Sequence, residues 1–178
     1  MAEALSLLTE SSPKPVRRLL NFMDYVRETP YDRDNGAQLI AHMIALAPQS
    51  KAQLYQDAWA HWTSGKKRGG FFVEFGATDG LFLSNTWLLE TQMGWDGILA
   101  EPNPSYAEAL KANRGCSIST KCVYPTSGIT LDFLAANAAE YSRLCAINPE
   151  DIHEPARQAD SRVVPVETIS LNDLLVEH

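Results

Sequence analysis

Apolar residues in the middle of the chain form short continuous runs that alternate with helically spaced positions. Two runs of five residues, Phe71–Phe75 and Gly97–Glu101, are largely aromatic or aliphatic and begin at or beside glycine, which predicts buried strands. A third strand is predicted over 116–124, and helices are predicted over 84–93 and 103–115. This strand–helix–strand–helix–strand order predicts an α/β fold with a parallel central sheet and right-handed crossovers.

Capping residues set the expected ends of these helices. Gly94 follows the first helix as a stop, and Asn103, with proline next to it, is predicted as the N-cap of the second. Gly115 occupies the position where a C-terminal glycine is common. Near the end of the chain, a strand over 162–168 is followed by Ser170, which is predicted to cap a short helix through Leu175.

The N-terminal third has a different pattern. Residues 1–33 are predicted to form an extension with a helix over 16–27, followed by a domain over 34–178. Two helices, over 35–47 and 50–62, are predicted to precede the first strand because their apolar residues recur at helical spacing.

The region after the third strand is ambiguous. Ile129, Leu131 and Phe133 alternate with polar or small residues as in a strand, although 131–141 also fits a helix, and the strand is favoured. Residues 148–160 are polar, contain two prolines and are predicted to form a loop.

Composition narrows the classes of partner. The formal net charge is −7, which argues against nucleic acid as the main partner because phosphate binding needs an excess of Lys and Arg. No apolar run approaches the roughly 20 residues of a membrane span, and Glu3 lies where a signal peptide would be basic. We therefore expect a cytoplasmic protein without a membrane partner. Its three cysteines and four histidines are scattered, so neither a metal site nor a disulfide framework is predicted.

A glycine-containing loop follows the first strand. Glu74-Phe75-Gly76-Ala77-Thr78-Asp79-Gly80 places small residues where the backbone must turn sharply and where a ligand could approach the main chain. Dinucleotide sites use Gly-x-Gly-x-x-Gly, but here Thr78 occupies the second glycine position and the final spacing differs. The pattern disfavours NAD or FAD and suits a ligand without a pyrophosphate, while a plain strand-to-helix turn is the simpler alternative.

Glu101 ends the second strand, 21 residues after Gly80. A carboxylate at the carboxyl end of a buried parallel strand can accept hydrogen bonds from both hydroxyls of a ribose. The alternative is a surface glutamate that precedes a turn.

These segments, taken in order, resemble the FkbM family of S-adenosylmethionine (SAM) dependent methyltransferases. The similarity runs from Gln56-Asp57 through the glycine loop, Leu83-Ser84-Asn85-Thr86, the run 94–104 and Asn113-Arg114, and returns in 166–175. The resemblance implies a class I Rossmann-like three-layer sandwich. It also implies methyl transfer from SAM to a hydroxyl on a small-molecule acceptor such as a sugar or natural product.

The resemblance also implies which residues contact SAM. The loop residues that would line its methionine end are Glu74, Gly76, Ala77 and Gly80, with Thr78 between them. The polar positions that match the family after the turn are Asp79, Ser84 and Asn85. Glu101 would hold the ribose, and Pro102 and Asn103 would flank the adenine. The pair Gln56-Asp57 would close one side of the pocket.

The sequence departs from the family pattern after the C-terminal helix. The family continues past its Ser-Leu-x-Asp-Leu-Leu helix with a strand that carries an Asp-x-Glu-Gly segment, which is not found before His178. We therefore expect a C-terminally truncated domain with little or no turnover. A central strand over 71–75 would then have a bare edge through which the chain could form a homo-oligomer.

The catalytic base is not assigned. Asp57, Asp79 and His61 are candidates, but capping, loop and helix-surface roles explain them equally well. A non-catalytic nucleotide-binding or oligomerisation module is the alternative function, and an NAD-dependent oxidoreductase is a third.

Overall fold

The structure of the chain is a computed structural model that describes residues 33–136, 141–147 and 161–178. The helix predicted over 16–27 and the loop predicted over 148–160 lie outside these residues. The chain forms two compact units. The first contains the described residues up to Phe71 together with Phe82–Asp96, and the second contains Phe72–Leu81 and the described residues from Gly97 onward.

The helices belong to both units. Their bounds are α1 Arg33–Leu46, α2 Gln56–Thr63, α3 Trp87–Met93, α4 Ala107–Asn113 and α5 Leu171–Glu177, with a 3₁₀ turn at Pro104–Tyr106. The strands are β1 Phe71–Phe75, β2 Asp96–Ala100, β3 Ser117–Ser119, β4 Cys122–Val123, β5 Thr130–Ala136, β6 Arg143–Leu144 and β7 Ser161–Ile169. In the described part of the chain, no helix is both long and apolar enough to cross a membrane.

The first unit is built on the packing of α1 against α2. Leu39 and Met43 of α1 contact Tyr55 and Ala58 in a buried apolar cluster. The helix predicted over 50–62 begins later, because Tyr55 adopts a left-handed φ of 59° that no continuous helix can contain. The helix predicted over 84–93 also begins later, at Trp87.

Polar caps explain the bounds of α3. The Ser84 hydroxyl accepts hydrogen bonds from the N–H groups of Thr86 and Trp87, so the residues before Trp87 cap the helix and do not form its first turn. Gly94 ends the helix with a φ of 67°, as predicted, and the N–H of the next residue, Trp95, donates to the carbonyl of Leu89 at 3.0 Å.

The central part of the second unit is a three-stranded parallel sheet in the order β1-β2-β3. Ile98 and Ala100 of β2 pair with Ser117 and Ser119 of β3, and α4 lies between these strands in the chain. The predicted parallel strand–helix–strand order is therefore confirmed. Asn103 caps the turn into α4 by accepting from the N–H of Ser105, also as predicted.

Two details of this region differ from the prediction. The single strand expected over 116–124 is two short strands, because β3 pairs with β2 whereas β4 pairs with β7 of a second sheet. The predicted glycine cap at Gly115 is wrong, because Arg114 already leaves α4 with an extended φ of −131°.

The second sheet has the order β4-β7-β5-β6 and is mixed. β4 runs parallel to β7, whereas β5 pairs antiparallel with both β7 and β6. The strand favoured at 129–133 is confirmed as β5, and the strand predicted over 162–168 is confirmed as β7. Ser170 caps α5 by accepting from the N–H of Asp173, and Leu174 of that helix packs against Ile98, Ala100 and Ile169.

Candidate functional site

The glycine loop leaves β1 alongside the end of β2. The N–H groups of Gly76 and Ala77 donate to the carbonyl of Ala100, at 2.8 and 3.4 Å. Gly76 has a φ of 69°, and no atom lies within 4 Å of the position that a Cβ would occupy. The main chain at Gly76 is therefore open on that side, so a ligand can approach it closely.

Thr78 occupies the next turn of the loop. Its φ is 50°, a left-handed value that is uncommon for a β-branched residue and that glycine adopts without strain. The N–H of Gly80 donates to the carbonyl of Ala77 at 2.8 Å and closes the turn around it. Thr78 therefore takes a backbone conformation that glycine adopts more readily than threonine.

Residues at the C-terminal end of α4 contact the end of the glycine loop. A Cβ on Gly80, whose φ is 80°, would lie 2.6 Å from Cγ of Arg114 and 2.8 Å from Cδ1 of Leu110. Nη1 of Arg114 donates to the Gly80 carbonyl at 3.1 Å, and Nδ2 of Asn113 donates to the Asp79 carbonyl at 2.8 Å. The final turn of α4 thus fixes the path of the loop and requires a glycine at position 80.

Glu101 joins the two strand ends. Its side chain is buried, with 6 % of the residue exposed, directly after β2. One carboxylate oxygen accepts from the N–H of Thr78 at 2.8 Å, and the other accepts from the N–H of Asn103 at 2.8 Å. Burial raises the pKa of Glu101, and the two N–H donors act in the opposite direction. Each oxygen has a second lone pair that these bonds do not use.

Arg114 is a residue of this region to which the sequence assigned no role. Its buried guanidinium lies 3.9 Å from the Glu74 carboxylate and 5.7 Å from the centre of the Phe72 ring. Glu74, the penultimate residue of β1, thus lies beside a buried positive charge. The place of Arg114 at the end of a helix gave no signal of this contact, which depends on how α4 packs under β1.

The remaining loop residues have local structural partners. The Asp79 carboxylate accepts from the N–H of Leu81 at 2.9 Å, and the buried Asn103 side chain caps the following turn. The second unit therefore contains most of the predicted cofactor contacts. These are Glu74, Gly76, Ala77, Thr78, Asp79, Gly80, Glu101, Pro102 and Asn103.

The other predicted residues belong to the first unit. Ser84 caps α3, and Asn85 lies in the segment that leads into it. Asp57 is 0 % exposed, and both of its oxygens accept from the Ser50 hydroxyl, at 2.8 and 2.7 Å. Burial raises the pKa of Asp57 to about 6. In this geometry the Asp57 carboxylate is closed to solvent and holds the turn before α2.

His61, another candidate base, also has a partner within the first unit. Its Nδ1 lies 3.2 Å from Nε2 of His42, and burial lowers the pKa of both rings. No group of three His, Cys, Asp or Glu side chains in the described ranges could hold a metal ion.

Comparisons with protein-family models, with curated proteins and with solved structures find no match to this chain.

Proposed function

We propose that the second unit binds SAM through the glycine loop and Glu101, as the cofactor-binding part of a Rossmann-like methyltransferase domain. One observation carries the proposal: the Glu101 carboxylate, at the carboxyl end of β2, accepts from the backbone of the loop that follows β1. Ligands of open parallel sheets bind at the carboxyl ends of the strands. The sheet order β3-β2-β1, with α4 as the crossover between β2 and β3, agrees with half of such a fold.

The chemistry of Glu101 suits a ribose. Its two oxygens each hold one backbone N–H and keep a lone pair for a further donor, such as the 2′ or 3′ hydroxyl of an adenosine. The open side of Gly76 gives the remainder of the ligand access to the main chain. A threonine in place of the second glycine of the dinucleotide pattern favours a ligand that lacks a pyrophosphate.

SAM, when bound, supplies an electrophilic methyl group on a sulfonium. Transfer to an acceptor hydroxyl forms an O–CH₃ bond as the S–CH₃ bond breaks, and a base takes the hydroxyl proton. The contribution of this chain would be to hold the adenosine and methionine ends. Asp57 and His61 have side-chain partners within the first unit, and the Asp79 carboxylate accepts from the N–H of Leu81, so none of the three candidates is assigned as the base. The assignments of Ser84 and Asn85 to SAM stay predictions of the family resemblance.

Calorimetric titration with S-adenosylhomocysteine, with NADH as a control ligand, tests the proposal. We expect saturable binding of S-adenosylhomocysteine and none of NADH. Binding of NADH alone would favour an oxidoreductase, and binding of neither would refute a preformed SAM site in this chain.

Deleting a hydroxyl from the ligand separates ribose binding from the structural role of Glu101. The ligands are 5′-methylthioadenosine and its 2′-deoxy analogue, each titrated into the wild type and Glu101→Gln. A hydrogen bond to a charged group contributes about 1.5–3 kcal/mol. The wild type should therefore lose roughly 10- to 100-fold in affinity for the deoxy analogue.

The comparison across the two proteins decides the role of Glu101. If Glu101 binds the ribose, Glu101→Gln should bind 5′-methylthioadenosine and its 2′-deoxy analogue with more similar affinities than the wild type does. The reason is that the carboxylate that would accept from the 2′ hydroxyl is already absent from the variant. Equal discrimination by the wild type and the variant would place the ribose elsewhere. Circular dichroism of Glu101→Gln controls for loss of the fold.

A further inference from the structure

β1 is the end strand of the parallel sheet. β2 lies on one side of it, and no described strand pairs with its other side. The carbonyl of Gly70 accepts from Asp96 and the N–H of Gly76 donates to Ala100, so the even-numbered residues direct their backbone groups to β2. Because backbone groups alternate along a strand, those of Phe71, Val73 and Phe75 point to the unpaired edge.

The side chains at this edge are unusually apolar. Phe71 and Phe75 are 55 % and 52 % exposed, and they share a face of the sheet with Val73 between them. Native proteins protect an edge strand with charged side chains, proline, a bulge or a covering segment. The positions of β1 whose backbone faces the edge, 71, 73 and 75, carry neither charge nor proline, and its one charged residue, Glu74, is buried on the other face. An edge of this kind is a template for another strand.

The sequence of β1 fits a second copy of itself. Read from either end, Phe-Phe-Val-Glu-Phe places Val73 at the centre and phenylalanine at both termini. Antiparallel pairing about Val73 would set each Phe71 opposite Phe75 of the other copy. Such a pair is isologous and closed, since the same patch is used on both chains.

We infer that two copies of this chain associate through β1, antiparallel and centred on Val73, so that the two parallel sheets join into one continuous sheet. The edge N–H and C=O groups of Phe71, Val73 and Phe75 then bond to the equivalent groups of the other copy. Two symmetry-related aromatic pairs form on the face that carries Phe71 and Phe75, on either side of the partly buried Val73, each contributing roughly 0.2–1 kcal/mol relative to alanine.

Charge on the opposite face is compatible with this register. Phe72 of one copy would lie opposite Glu74 of the other. Arg114 already contacts both residues within its own chain, at 5.7 Å from the Phe72 ring and 3.9 Å from the Glu74 carboxylate. The pairing therefore sets each Glu74 opposite an aromatic ring and sets no like charges directly opposite each other within β1.

Cysteine cross-linking tests the register. Val73→Cys places the two new thiols opposite each other at about 5.5 Å between Cα atoms, within disulfide range. Phe75→Cys is the matched control, because its two new thiols would lie about 14 Å apart. After mild oxidation, we expect mass spectrometry to find a disulfide between the two copies of the β1 peptide in Val73→Cys and none in Phe75→Cys. The inferred register is overturned if the β1 peptides are linked in Phe75→Cys, or if they are not linked in Val73→Cys.

Light scattering across a concentration series tests the dimer itself. Phe75→Lys removes both aromatic pairs and should weaken dimerisation about 2- to 30-fold. Phe82→Lys is its control, since Phe82 is similarly exposed at 50 % but lies outside β1. A monomeric wild type, or equal effects of the two variants, would refute the inference. These outcomes do not depend on SAM binding and leave the proposed function unaffected.

Discussion

Two glycines of the same loop, Gly76 and Gly80, are expected to respond differently to alanine. Both have a left-handed φ, of 69° and 80°, so alanine is strained at either position. They differ in what surrounds the new methyl group. At Gly76 the methyl group meets nothing within 4 Å, whereas at Gly80 it meets the buried stem of Arg114 at 2.6 Å and Leu110 at 2.8 Å.

The magnitudes follow from these contacts. A left-handed alanine is less stable than glycine by about 1–2 kcal/mol, part of which is offset by the lower entropy of the unfolded chain. Gly76→Ala should therefore lose about 1 kcal/mol of unfolding free energy. Gly80→Ala adds overpacking of about 1–3 kcal/mol, because relief of the clash must displace the buried side chains of Arg114 and Leu110. We expect a total loss of about 2–4 kcal/mol for Gly80→Ala.

Urea unfolding followed by tryptophan fluorescence measures both losses, and titration with S-adenosylhomocysteine measures the effect on binding. Gly76→Ala should weaken binding more than its small loss of stability suggests, since its methyl group enters the open side of the loop. A smaller stability loss for Gly80→Ala than for Gly76→Ala would refute the packing of α4 described above. Unchanged ligand affinity in Gly76→Ala would refute a ligand approach at that residue.

Three further predictions concern stability. Folding raises the pKa of Asp57 from 3.8 to about 6. The protonated carboxyl therefore adds to the free energy of unfolding in full below about pH 4, and this stabilisation is lost as the pH rises through 6. Asp57→Asn should remove this pH dependence, worth about 3 kcal/mol at most, in denaturant titrations between about pH 4 and 7. Ser170→Ala removes the N-cap of α5 and should lose about 1 kcal/mol in thermal unfolding, whereas Ser170→Gly should lose only a few tenths, roughly. Gly70→Ala places a methyl group 2.6 Å from the Trp95 ring and should lose about 1–3 kcal/mol, with a change in near-ultraviolet circular dichroism.

Local signals in the sequence located the strands and caps of the α/β core. The glycine-bounded apolar runs predicted β1 and β2, and the caps Gly94, Asn103 and Ser170 act as expected. Local pattern could not divide residues 116–124 between two sheets, because the choice of partner strand depends on residues far away in the chain.

In the candidate site, too, local sequence signals located some features, whereas contacts between residues distant in the chain were not predicted. The sequence placed the glycine loop directly after β1 and Glu101 at the carboxyl end of β2, and the Thr78–Glu101 hydrogen bond joins these two strand ends. The left-handed φ of Tyr55 and of Thr78 was not predicted, since neither residue type favours it. The contacts of Arg114 with Glu74 and Gly80 depend on tertiary packing and have no signature in the local sequence.

The division of the chain between its two units has a consequence for dissecting the protein. The backbone passes from one unit to the other after residues 71, 81 and 96, so the segment 72–81, which carries most of β1 and the glycine loop, is an inset with both ends tied to the first unit. No single cut can isolate either unit, and a fragment starting at Gly97 would lack the loop entirely. Binding experiments on the glycine loop and Glu101 therefore have to use a chain that contains both units.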